Sequence, residues 1–161
     1  VDAKLIKGGQ GNIWSEQLYN TRHLQYMTWP RGLAIAECLW SPKTARDWNK
    51  FAQKVEYNFE RMDIRQVKYA RAMFDPIFVV KKDERDSVLI ELSTEVEGLD
   101  IHYSFDNSHP DNFYPKYQKP LYIPKEAQVL KVVTYRSGVV MSRQIDMPVK
   151  EIRRRAAALK K

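Results

Sequence analysis

The stretch that decides the fold is Gly8-Gly9-Gln10-Gly11-Asn12-Ile13-Trp14-Ser15-Glu16, and it follows the apolar pair Leu5 and Ile6. The apolar pair predicts a short β-strand that leads into the stretch. Residues i and i+2 of a strand share a face, so Trp14 and Glu16 are expected to project into the same space. An indole can cover the apolar face of a pyranose ring, and a carboxylate accepts charge-assisted hydrogen bonds from its hydroxyls. Trp14 and Glu16 are therefore the candidate ligand-binding residues.

A second motif follows the first, with Trp29-Pro30-Arg31 and then Ala34-Ile35-Ala36-Glu37-Cys38-Leu39-Trp40. The order Gly-Gly-x-x-x-x-Trp-x-Glu and then Pro-Arg-x-x-Ala-x-Ala-Glu-x-x-Trp-Ser resembles the end of the catalytic barrel of glycoside hydrolase family 20, the β-N-acetylhexosaminidases. The resemblance covers about residues 5–64. It implies that Trp14 forms a wall of the terminal-sugar pocket. It also implies that Glu16 binds sugar hydroxyls on the ring edge away from the scissile bond.

The resemblance implies an incomplete barrel. A (β/α)8 TIM barrel needs roughly 250 residues, whereas residues 1–65 can supply only its terminal strand and helices. We therefore expect the chain to be the C-terminal portion of a larger enzyme. A single barrel strand leaves both of its edges unpaired. We expect the fragment to associate with itself or with the missing barrel, or else to leave its first ~20 residues disordered.

Helical signals fill the rest of residues 1–65. Asn20 or Thr21 can cap a helix over Arg22–Thr28, and Pro30 suits the first turn of a helix over Pro30–Trp40. Ser41-Pro42 is expected to start a third helix by the same device. The apolar stripe of that helix indicates packing and no chemistry; it comprises Trp48, Phe51, Ala52, Val55, Phe59 and Met62.

The periodicity changes to two after a connection over residues 66–76. Six short strands are predicted within residues 77–149, over Ile77–Val80, Ser87–Val96, Asp100–Phe105, Pro120–Ile123, Val129–Arg136 and Val139–Met147. This spacing without helices favours an antiparallel β-sandwich. Ile101 to Pro110, with Tyr117-Gln118-Lys119-Pro120 after it, resembles the small immunoglobulin-like domain that ends many of these hexosaminidases. The expected fold class is thus α+β, a barrel end followed by an immunoglobulin-like sandwich.

The net charge of +7 sits largely at one end of the chain. Residues 150–161 carry six Lys or Arg against one acidic residue. A short basic tail is more often a solvated end than a nucleic-acid reader, so we expect no nucleic-acid partner. No apolar run approaches the ~18 residues of a membrane-spanning helix.

The chemistry of the resembled family uses an Asp-Glu pair. The Glu is the general acid/base, and the Asp orients the substrate's acetamido group, which attacks the anomeric carbon. Asp83-Glu84 is the matching dipeptide here, but it lies in a polar turn of the second domain without the family's His-x-Gly-Gly lead-in. A solvated charged turn is the better interpretation. We predict that the catalytic pair lies upstream of Val1 and that this chain alone is inactive.

Two functions from different classes remain. The first is a retaining exo-β-N-acetylhexosaminidase, which acts without metal or cofactor on glycans ending in N-acetylglucosamine or N-acetylgalactosamine. The resemblance also implies an extracytoplasmic location: periplasmic, surface or secreted. The second is a non-catalytic module whose sandwich binds glycan or another protein. Its six candidate aromatic residues are more often core residues or cross-strand pairs; they are Tyr103, Phe105, Phe113, Tyr114, Tyr117 and Tyr122.

Overall fold

The helical and the strand-forming parts of the sequence fold as two units, Val1–Ala70 and Arg71–Lys161, in a computed structural model that describes residues 3–159. The first unit, unit 1, is built from three α-helices, α1 (Thr21–Thr28), α2 (Arg31–Trp40) and α3 (Trp48–Ile64). Short 3-10 turns at Ala3–Leu5, Ser15–Gln17 and Lys43–Ala45 connect them or precede them.

Capping side chains explain where these helices begin. Asn20 Oδ1 accepts a hydrogen bond of 2.9 Å from the His23 amide, as predicted for the start of α1. The prediction that Ser41-Pro42 starts α3 was wrong. Pro42 has extended backbone angles and precedes the turn Lys43–Ala45, and Asp47 caps α3 by accepting from the Lys50 amide at 2.8 Å. Asp47 provides the acceptor that the first turn of a helix needs.

The predicted strand at Leu5 and Ile6 is not formed. Leu5 ends the turn Ala3–Leu5, both side chains are more than three-fifths exposed, and no strand occurs among the described residues of unit 1. A parallel barrel strand is stabilised by hydrogen bonds to a strand on each side, and these residues of unit 1 offer no such neighbour. The barrel part of the expected fold is therefore not seen.

Unit 2 contains two antiparallel sheets. The first consists of β1 (Ile77–Lys82), β2 (Val88–Ser93) and β4 (Leu121–Tyr122), in the order β1-β2-β4. In the second, β5 (Val129–Arg136) pairs with β3 (Asp100–Ser104) on one side. On its other side, β5 pairs with β6 (Val139–Val140) and β7 (Ile145–Pro148). This architecture is compatible with the predicted β-sandwich.

One predicted strand, Val139–Met147, is split into β6 and β7. Between them, the Thr134 amide donates to the Ser142 side-chain oxygen at 2.9 Å, while the Met141 amide donates to the Thr134 carbonyl. A side chain thus replaces a backbone acceptor in the ladder, which interrupts the regular pairing.

Residues 150–161 are not simply a solvated basic tail. Helix α4 spans Val149–Ala158, and Val149, Ile152 and Ala156 are buried in one apolar cluster with residues of both sheets. Positions i, i+3 and i+7 lie on one helix face, so the arginines between them remain at the surface. The expectation of a solvated end was wrong, because one face of this segment is buried. The many basic residues obscure that apolar spacing in the sequence. Lys160 and Lys161 lie outside the described residues.

Candidate functional site

Trp14 and Glu16 lie on an exposed segment that leads into α1. Trp14 has extended backbone angles, with φ −80° and ψ 133°, and its side chain is 74% exposed. The next three residues form the turn Ser15–Gln17, which places Glu16 in 3-10 geometry. Glu16 is also exposed. The shared face that the strand argument predicted for the two side chains therefore does not form, because the extended backbone ends at Trp14.

The residues just before Trp14 have two different environments. Gln10 Nε2 donates a hydrogen bond of 3.3 Å to Asn12 Oδ1, and both side chains are exposed. The backbone at Gly9 and Gly11 instead lies against the side chains of Leu39 and Ile35 on α2. The glycines therefore face α2, while the side chains of Gln10 and Asn12 are exposed to solvent. The sequence motif marked the glycines but not their partners on α2.

Polar side chains connect the helices of unit 1 to one another. Arg31 Nη1 donates to the carbonyls of Tyr26 and Met27 at 3.2 and 3.1 Å, which joins the start of α2 to the end of α1. Glu37 on α2 forms an ion pair of 3.1 Å with Lys54 on α3. The ion pair is partly exposed, so its contribution to stability is small. These contacts tie the helices together, as expected for framework residues.

Asp83 acts as a turn residue between β1 and β2. Its Oδ1 accepts hydrogen bonds from the amides of Arg85 and Ser87 at 2.9 and 2.8 Å, and its Oδ2 accepts from the Tyr122 hydroxyl at 3.2 Å. The bond from the Ser87 amide is the largest cause that lowers the pKa of Asp83 below its usual value. A carboxylate held in its ionised form by a turn has a structural role, as the sequence predicts for Asp83-Glu84.

The histidines and acidic residues of the described part of the chain were compared with the requirements of a metal site. Over residues 3–159, no group of three or more His, Cys, Asp or Glu side chains converges as a metal site would require. His102 is buried, with Nδ1 at 2.8 Å from the Tyr114 carbonyl and its ring edge-on to Tyr135. His109 Nδ1 lies 2.6 Å from Gln144 Oε1.

The six aromatic candidates of the second unit differ in exposure. Tyr103, Phe105 and Tyr117 are partly buried and pack on the apolar cluster, and Tyr114 donates to Asp106 Oδ2 at 3.1 Å. Phe113 and Tyr122 are exposed, at 89% and 59%. Three of the six therefore have the packing role that half-buried strand aromatics usually have.

None of the helices in the described part of the chain has the length and apolarity needed to cross a bilayer. The model of the glycosyl hydrolase family 20 catalytic domain matches residues 1–43, and a model described as Fn3 associated matches residues 90–145.

Two curated relatives have the same printed name. A beta-hexosaminidase of Porphyromonas gingivalis is 26% identical over 155 residues, which cover 93% of this chain and 19% of that protein. A beta-hexosaminidase of Akkermansia muciniphila is 41% identical over 54 residues, which cover 34% of this chain and 11% of that protein. The chain thus spans a fifth or less of the length of these relatives. The chain is thus similar to a segment of the glycosyl hydrolase family 20 catalytic domain, followed by an Fn3-associated segment, and to two proteins named beta-hexosaminidase.

Proposed function

We propose that this chain is part of an exo-acting β-N-acetylhexosaminidase that removes terminal, non-reducing β-linked N-acetylglucosamine or N-acetylgalactosamine. The observation that carries the proposal is the position of Trp14 and Glu16. Both lie within the residues matched by the family 20 catalytic domain, on a segment where both side chains are exposed. An exposed indole and an exposed carboxylate two residues apart in the chain are the two kinds of group that a pyranose ring needs.

The two side chains have separate tasks in this proposal. The Trp14 indole covers the apolar C–H face of the terminal sugar and removes that face from water. The Glu16 carboxylate accepts hydrogen bonds from ring hydroxyls away from the bond that is cleaved. A hydrogen bond to a charged group contributes about 1.5–3 kcal/mol, and a missing hydroxyl would leave Glu16 unpaired in the pocket. Glu16 therefore selects for the hydroxyl pattern, and Trp14 selects for the ring.

The bond-breaking groups belong to other parts of the parent protein. In the proposed retaining mechanism, the acetamido carbonyl oxygen of the substrate attacks the anomeric carbon while a general acid protonates the leaving oxygen. Asp83 is committed to the turn between β1 and β2, so Asp83-Glu84 does not serve as this pair. The chain supplies pocket residues and is inactive on its own. Turnover of an aryl β-N-acetylglucosaminide by the 161-residue chain, abolished by Asp83→Ala, would contradict this assignment.

The proposal is tested with Trp14→Ala and Glu16→Ala in the complete parent protein. We expect kcat/KM for an aryl β-N-acetylglucosaminide to fall roughly ten- to hundredfold for Glu16→Ala, from the loss of a charged hydrogen bond. Trp14→Ala should lower it at least as much. Glu60→Ala, an exposed carboxylate on α3, is the matched control and should keep wild-type kinetics. If the folded Trp14 and Glu16 variants also kept wild-type kinetics, neither residue would line a sugar pocket.

A further inference from the structure

Two glycines bring the backbone before Trp14 close to helix α2. A methyl group placed on Gly11 would lie 2.6 Å from Ile35 Cδ1, and one on Gly9 would lie 3.0 Å from Leu39 Cδ2. Carbon atoms at optimal van der Waals separation lie about 3.5–4.0 Å apart. There is no room for a side chain at Gly11 unless Ile35 moves, and little at Gly9. Gly8 differs, because a methyl group there would meet nothing within 4 Å.

The spacing of the two contacts is matched on both sides. Ile35 and Leu39 are four residues apart on α2, which corresponds to about 6 Å along the helix axis. Gly9 and Gly11 are two residues apart, which corresponds to about 6.6 Å along an extended chain. The pairing runs in opposite directions, with Gly9 against Leu39 and Gly11 against Ile35. The two contacts therefore lie at matching positions along the segment and along α2.

This segment ends at the candidate sugar-binding residues. Trp14 follows Gly11 by three residues, and its own backbone is extended. A shift of the backbone at Gly11 is transmitted over this short distance to the indole and to the turn that contains Glu16. Beyond this turn, Tyr19 stacks on His23 of α1, with ring centroids 5.8 Å apart.

We propose that Gly9 and Gly11 are positioning residues, which set the location of Trp14 and Glu16 through their contacts with Leu39 and Ile35. We call this the glycine–α2 contact. Through it, the size of the side chains at positions 11 and 35 affects how tightly the terminal sugar is bound. This inference rests on the proposed function for the role of the site. The contact itself is independent of that function.

The test is a double-mutant cycle in the complete parent protein, with Gly11→Ala, Ile35→Val and the two combined. Gly11→Ala must displace either the Ile35 side chain, which it meets at Cδ1, or the segment itself. A displacement of the segment by about 1 Å can cost on the order of 10²-fold in rate. We expect kcat/KM for an aryl β-N-acetylglucosaminide to fall about ten- to hundredfold, mainly through KM. Ile35→Val removes Cδ1, the atom that the new methyl group meets. The double variant should therefore have a kcat/KM within about threefold of that of Ile35→Val alone. Gly8→Ala is the matched control and should behave as wild type.

Rescue by Ile35→Val separates this positioning role from a general loss of folding. Wild-type kinetics of Gly11→Ala, or a loss of kcat/KM that Ile35→Val leaves unchanged, would overturn the proposal.

If the parent protein hydrolyses no aryl N-acetylhexosaminide, the proposed function fails. The contact is then tested by NMR of the 161-residue chain. A shift of the Trp14 indole resonance in Gly11→Ala, reversed by Ile35→Val and absent in Gly8→Ala, supports the contact. An unshifted Trp14 resonance in Gly11→Ala overturns it.

Discussion

The two units of this chain differ sharply in how they bury apolar side chains. In unit 2, Ile90, Leu130, Val132 and Ile152 are fully buried in one cluster that draws on both sheets and α4. In unit 1, α1 and α2 have no buried residue at all, and Trp40 is 89% exposed. Burial of apolar surface is the main favourable term in folding. Unit 2 therefore has a core that draws on all its layers. In unit 1, the helical residues that are buried all lie on α3, and α1 and α2 present apolar surface that suits further contact.

The exposed apolar surface of unit 1 agrees with the similarity of its first residues to part of a larger domain. Residues 1–43 match a catalytic domain, and the chain covers only 19% of the Porphyromonas gingivalis relative. In the proposed enzyme, we expect Leu5, Ile6 and the exposed face of α2 to pack against the rest of the barrel. A large exposed apolar patch is the usual sign of such a contact.

The largest expected effect is a difference in hydrogen exchange between the two units of the 161-residue chain. Amides of β5 and α4 should exchange only by global unfolding, while amides of α1 and α2 should exchange by local opening. We expect the protection factors to differ by about a thousandfold or more, measured by NMR or mass spectrometry. Equal protection of the α2 and β5 amides from exchange would show that unit 1 has buried its apolar face. It would contradict the contrast drawn between the two units.

A pair of identical substitutions compares the two units more closely. Ile152 on α4 is 0% exposed, and Ile64 at the end of α3 is 83% exposed. Ile152→Ala should lower the free energy of unfolding by about 2–5 kcal/mol, because it leaves a cavity in the core. Ile64→Ala should change it by about 0.5 kcal/mol or less. Denaturant unfolding of the 161-residue chain, followed by far-ultraviolet circular dichroism, which reports on the helices and strands of both units, measures both. A loss below about 1 kcal/mol for Ile152→Ala would contradict the assigned role of α4.

The smallest expected effect concerns the charges on α4. Hydrogen bonds from Arg154, and then from Arg155, lower the pKa of Glu151 to about 2 from its usual 4.5. A lowered pKa in the folded state means that the ion pairs stabilise the helix above about pH 4.5, and that this contribution is lost as the pH falls towards 2. An NMR titration of the Glu151 carboxyl carbon tests this. Arg154→Ala should return the midpoint towards the usual value, and an unchanged midpoint would contradict the ion pair. Because Glu151 lies at the surface, the effect on stability should be small.

The sequence predicted the strands of unit 2 well because their residues interact with one another. Val129–Arg136 forms β5 with the predicted bounds, since its apolar residues are stabilised by neighbours within the same unit. Helix α4 was missed because three arginines dominate its composition, although Val149, Ile152 and Ala156 mark its buried face. Both β5 and α4 are thus stabilised by contacts within unit 2.

The strand predicted at Leu5 and Ile6 failed for the opposite reason. Apolar character alone does not form a barrel strand, because the hydrogen bonds that stabilise it come from neighbouring strands. The sequence therefore identified Trp14 and Glu16 as candidates, but it could not give their relative geometry. The contacts of Gly9 and Gly11 with α2 could not be predicted either, because they depend on how the segment crosses the helix.

The most direct test of the account is a crystal structure of the complete parent protein with N-acetylglucosamine bound. The account predicts that the Glu16 carboxylate lies within about 2.5–3.2 Å of sugar hydroxyl oxygens. It also predicts that the Trp14 indole lies flat against the ring, with Gly11 still in contact with Ile35. A sugar bound in the catalytic pocket with Trp14 and Glu16 both outside contact distance would contradict it.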